Sequence, residues 1–74
     1  MVFGRNLRTH REKMGLPTKE LAVKLAISRS FVALLETGKR LPKKAFLPRI
    51  AEVLAVDREV INAWYLEDIR EKLQ

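Results

Sequence analysis

Seventy-four residues, 47% hydrophobic and 32% charged, suffice for one small domain, residues 1–74, and leave no room for a second. The chain has no cysteine, which excludes disulfide scaffolds and thiolate zinc sites. Its net charge of +6 is segregated: residues 1–50 carry twelve Lys and Arg against three acids, and residues 51–74 carry three against six, so a basic body precedes an acidic tail.

The periodicity of apolar residues predicts short helices and no strand. Phe3, Leu7, Arg11 and Met14 share helical spacing, which predicts a first helix from about Arg5 to Met14, stopped by Gly15. Thr18 is the expected N-cap of a second helix, whose apolar stripe is Leu21, Ala22 and Leu25. The pattern breaks at Ala26-Ile27-Ser28. Ser28 then caps a third helix, Arg29 to about Glu36, with Val32 and Leu35 facing one way and Gly38 ending it. Lys39 to Lys44 form a basic connector, since Pro42 disfavours helix at Leu41.

A fourth helix, about Ala45 to Leu54, tolerates Pro48 only in its first turn, and Asp57 is the expected cap of a fifth reaching about Leu73. No internal repeat or low-complexity segment is evident. The expected core is Leu7, Leu21, Ala22, Leu25, Ile27, Val32, Leu35, Phe46, Leu47, Ile50 and Leu54.

In order and spacing, one set of residues resembles the helix-turn-helix of the phage repressor and Cro family, also called the xenobiotic-response-element family. It comprises Leu7, Arg11, Gly15-Leu16, Glu20-Leu21-Ala22, Leu25, Ile27-Ser28, Val32, Leu35-Glu36, Gly38-Lys39, Phe46-Leu47-Pro48, Ile50-Ala51 and Leu54-Ala55-Val56. The resemblance covers about residues 3 to 58. It implies an all-α, five-helix, lambda-repressor-like domain in which the second helix of the motif enters the major groove of double-stranded DNA. Arg29 to Thr37 is then the reading helix, with Arg29, Ser30, Ala33, Leu34 and Thr37 toward the bases. Of these, Arg29 alone offers the bidentate guanine contact, while Ala33 and Leu34 offer thymine methyls at most.

The same resemblance places Thr18, Lys39, Arg40, Lys43 and Lys44 along the phosphate backbone, and pairs Arg11 with Glu36 as a structural ion pair. Leu34 has a competing role in packing inside the protein. His10 is expected at the surface; one His without Cys makes no metal site, and no cofactor is expected.

The fifth helix carries Val60, Ile61, Trp64, Tyr65, Leu66, Ile69 and Leu73, more apolar surface than one short helix needs against a small core. Val60, Ile61, Trp64, Tyr65 and Ile69 are therefore the expected seam of a homodimer, with Glu67, Asp68 and Glu71 on the polar face. The competing arrangement folds Trp64 and Tyr65 back onto their own subunit.

These features point to a sequence-selective DNA-binding transcription regulator, a repressor that competes with polymerase. The alternative is an antitoxin- or adaptor-like protein-interaction module using the Phe31/Leu34 surface or the fifth helix. An enzyme is not expected, because no nucleophile-base pair or phosphate loop is present. The longest apolar run, Phe31 to Leu35, is far below the roughly 20 residues of a membrane span, and the first residues do not read as a signal peptide. A cytoplasmic, nucleoid-associated protein without membrane partners is the expectation.

Overall fold

The computed structural model describes residues 2–72. Five helices follow one another: α1 (Phe3–Lys13), α2 (Thr18–Leu25), α3 (Arg29–Glu36), α4 (Leu47–Leu54) and α5 (Arg58–Lys72), with no strand among the described residues. A 3-10 turn, Lys44–Phe46, leads into α4 and takes up the first residues expected of that helix. Pro48 then sits in the first turn, where its missing N–H has no helical partner to lose. Leu73, expected on the fifth helix, lies outside the described residues.

Two further helix starts differ from expectation. α1 begins at Phe3 rather than Arg5, because its first amides have an acceptor far away in the chain. The Val2 and Phe3 N–H groups donate to Oδ1 and Oδ2 of Asp68 on α5, at 2.6 and 3.0 Å. Asp68 is accordingly buried, 5% exposed, and does not belong to the polar face of α5. At the second helix, Pro17 occupies the N-cap position and Thr18 is the first helical residue, with no side-chain cap. Ser28 does cap α3, its Oγ accepting from the Phe31 N–H at 3.0 Å.

The connections α2–α3 and α4–α5 prove to be one turn made twice. Leu25-Ala26-Ile27-Ser28 and Leu54-Ala55-Val56-Asp57 both place an alanine in the left-handed region, at φ 57° and 55°. In each, the alanine N–H donates three residues back and the next N–H donates five back: Ala26 to Val23 and Ile27 to Ala22, Ala55 to Glu52 and Val56 to Ala51. These bonds satisfy carbonyls that a helix end leaves open. The internal recurrence escapes a search for longer repeats because only the turn is shared.

The core contains most of the expected residues and four more: Phe3, Ala51, Ile61 and Trp64. Ile27 and Phe46 pack against it but remain half-buried. Ile61 is fully buried and Trp64 is 9% exposed, with the indole edge-on to Phe3 at 6.1 Å. The expected dimer seam is thereby corrected at these two positions, which complete their own subunit's core. His10 is likewise half-buried, its ring 5.2 Å from that of Trp64, and not a free surface residue. The start of α1 thus meets the end of α5. A Cβ on Gly4 would overlap the carbonyl oxygens of Leu35 and Glu36, so α1 also lies directly on the end of α3.

Candidate nucleic-acid interface

α3 is anchored from one side only. Val32 and Leu35 are fully buried, whereas Arg29, Ser30, Ala33 and Thr37 are exposed on the opposite face. The turn at Ala26 sets the direction in which α3 leaves α2, and Ile27 packs against the core beneath that turn. The expected base-reading residues therefore share one accessible face, with Leu34 half-buried at its margin. No side-chain hydrogen bond or ion pair engages Arg29 or Ser30 among the described residues.

The loop after α3 is pinned rather than loose. Gly38 takes φ 77°, and the N–H groups of Lys39 and Arg40 both donate to the Leu34 carbonyl, at 3.0 and 3.2 Å. Pro42 is buried beneath the loop and Leu41 half-buried, while Lys39, Arg40, Lys43 and Lys44 are all exposed. Lys39 and Arg40 thus follow the exposed face of α3 on a backbone held by the helix end, and Lys43 and Lys44 come at the start of the 3-10 turn. Thr18, half-buried, heads α2.

The Arg11–Glu36 pair is the rigid brace behind this face. Nε donates to Oε2 at 2.7 Å and one terminal N–H to Oε1 at 3.3 Å, while the other terminal nitrogen donates to the Leu16 carbonyl at 2.9 Å. The side chains are 13% and 9% exposed. Hydrogen bonding to Glu36 raises the Arg11 guanidinium above its ordinary value, against the opposing pull of burial. This pair ties the last turn of α1 to the last turn of α3.

Sequence reasoning missed Arg49, whose guanidinium reaches the Lys24 carbonyl at the end of α2 at 3.5 Å and adds an exposed cation beside Lys24. No motif marks it; only the charge of the basic body includes it. It also missed Asp68 and Gly4, whose roles depend on contacts across the fold. No cluster of three or more metal-ligating side chains occurs among the described residues, and none of their helices is long and apolar enough to cross a membrane.

A helix anchored on one side, reached through a tight turn and followed by pinned cations, is the architecture of a helix-turn-helix domain. The family model for this domain matches residues 2–64, and the chain belongs to that family. The family comprises DNA-binding modules of transcription regulators, not enzymes. The chain is similar to the HTH-type transcriptional repressor RghR of Bacillus subtilis (strain 168), 35% identical over 72 residues, which cover 93% of this chain and 53% of that protein. It thus spans about half the length of this curated relative. No solved structure matches it.

Proposed function

We propose that this chain is a sequence-selective double-stranded DNA-binding repressor that lays α3 in the major groove. The observation that carries the reading is the free face of α3 beside four exposed cations, two of them, Lys39 and Arg40, on backbone pinned to the helix end. Arg29 reads a guanine; Ser30, Ala33, Leu34 and Thr37 line the remaining base edges; Thr18, Lys39, Arg40, Lys43 and Lys44 hold phosphates. The protein works in the cytoplasm on the nucleoid.

One reading helix with one strong base-contacting side chain covers little sequence, and a two-fold dimer doubles it, with reading helices about 34 Å apart. With Ile61 and Trp64 used internally, the apolar surface left on α5 is Tyr65, Leu66 and Ile69 on one flank and Val60 on the other edge. The first flank is the proposed seam. Sedimentation equilibrium at micromolar concentration tests it, a monomer mass with or without DNA counting against the dimer alone.

Binding itself is tested by fluorescence anisotropy over a salt series. With roughly five phosphate contacts, log K falls by about 4 to 5 per decade of salt per subunit. Lys43→Ala weakens all sequences alike, whereas Arg29→Ala costs about 1 to 3 kcal/mol on the preferred site and little on random DNA. No binding to any duplex at low salt would overturn the reading. It would favour the protein-interaction alternative, for which one feature speaks: an apolar hollow between Ile27, Phe31, Pro42 and Phe46, rimmed by Lys43.

A further inference from the structure

The reading face of α3 is divided along its length. Its first turn displays a guanidinium and a free hydroxyl, Arg29 and Ser30. Its second turn displays Ala33, Leu34 and Thr37, and here the one polar group is already engaged. The Thr37 hydroxyl donates to the Ala33 carbonyl at 2.8 Å and lies 3.4 Å from that of Leu34. This turns the donor back onto the helix and leaves the methyl group, with the lone pairs of the oxygen, as the remaining chemistry of the residue. Leu34 adds only hydrocarbon, and its carbonyl is taken by the amides of Lys39 and Arg40. The distal half of the face therefore has no side-chain donor to give a base.

In the major groove of unmodified DNA the apolar feature is the C5-methyl group of thymine; every other distinguishing group is a donor or an acceptor that such a surface would strip of water without replacing. Resting on the DNA reading above, we propose that Ala33, with the Thr37 methyl and Leu34 around it, is a specificity-determining contact for a thymine methyl group. Four residues of helix separate Ala33 from Arg29, about 6 Å of rise. Base pairs are 3.4 Å apart, so the thymine lies about two base pairs from the guanine that Arg29 reads. Cytosine at that step is rejected because its amino group meets the methyl group of Ala33.

The probe is a duplex selected from a randomised library for tight binding, then resynthesised with each thymine in turn replaced by deoxyuridine, which removes only the methyl group. One position per half-site, about two steps from a guanine whose contact Arg29→Ala removes, loses about fourfold in affinity, the worth of one buried methyl group. In Ala33→Ser the same replacement changes nothing, while the salt slope stays that of the parent. Tight, selective binding that is indifferent to every uridine overturns this proposal and leaves the DNA reading intact. Uridine sensitivity that persists in Ala33→Ser overturns the assignment to Ala33. Absence of binding to any duplex overturns both.

Discussion

The α2–α3 and α4–α5 connections share a backbone and differ in what they deliver. Each ends a helix on a leucine, turns at a left-handed alanine, buries part of a β-branched residue and restarts at Ser28 or Asp57. The first turn leads to a helix held on one face, whose other face carries Arg29 at its start and whose following loop is basic. The second leads to a helix with Ile61, Trp64 and Asp68 buried beneath it and Glu59, Glu67, Arg70 and Glu71 outside. One local solution thus serves a candidate interface and a brace, and the residues beyond the turn decide which.

The largest effects come from removing the anchors of the two helices. Leu35→Ala under α3 and Trp64→Ala under α5 each lose about 3 to 5 kcal/mol, a large share of the stability of so small a domain. Thermal melts by circular dichroism check this. Because Trp64 is placed within its own subunit, the Trp64→Ala deficit stays the same from dilute to concentrated protein; a deficit that appears only at concentrations supporting a dimer would return Trp64 to the seam.

Next in size is the brace behind the proposed reading face. Arg11→Ala strands the Glu36 carboxylate, 9% exposed, without its charge partner and costs about 3 kcal/mol. The contrasting pair on the same helix is Arg8–Glu12, at 3.7 Å with side chains more than half exposed; Arg8→Ala costs no more than about 0.5 kcal/mol. Urea melts of the two variants separate buried from solvated pairing, and equal midpoints would contradict the burial of Arg11.

Helix periods, the glycine stops and Ser28 were legible in the sequence because each depends on neighbours a few residues away. The Arg11–Glu36 pair was legible only through resemblance, since no local pattern joins residues so far apart. Asp68 read as a polar-face residue because its charge sits among other acids, while its partners, the Val2 and Phe3 amides, lie at the opposite end of the chain. Trp64 was ambiguous, and Ile61 was misread as seam, for a related reason: an apolar stripe states that something covers it, not which molecule does. The candidate interface was legible as a set of exposed residues after a capped turn, but the inward hydrogen bond of Thr37 was not.

Asp68 supplies the third test. Asp68→Asn keeps the shape but removes the charge and turns one of the two accepting oxygens into a donor that faces an N–H of Val2 or Phe3, and the loss is about 2 kcal/mol. Amide hydrogen exchange should quicken first in the opening turn of α1, with the amides of α3 still protected. Uniform acceleration throughout the chain would mean that Asp68 holds the whole fold and not this one junction.

The smallest effect probes the shared turn itself. Alanine in the left-handed region brings its Cβ too close to the neighbouring carbonyl, at about 1 kcal/mol or more, which glycine avoids. Glycine gives part of this back through the greater freedom of the unfolded chain, about 0.5 to 1 kcal/mol. Both alanine side chains are exposed, so no packing is lost. Ala26→Gly and Ala55→Gly should therefore each stabilise by about 0.5 kcal/mol, raising the melting temperature by a few degrees in a domain of this size. Equal shifts mean that the two turns are energetically as well as geometrically alike. A stabilised Ala55→Gly beside a destabilised Ala26→Gly would instead show that the turn before α3 depends on its alanine for more than backbone shape, and DNA affinity measured on the same variant would tell whether the direction of α3 has moved.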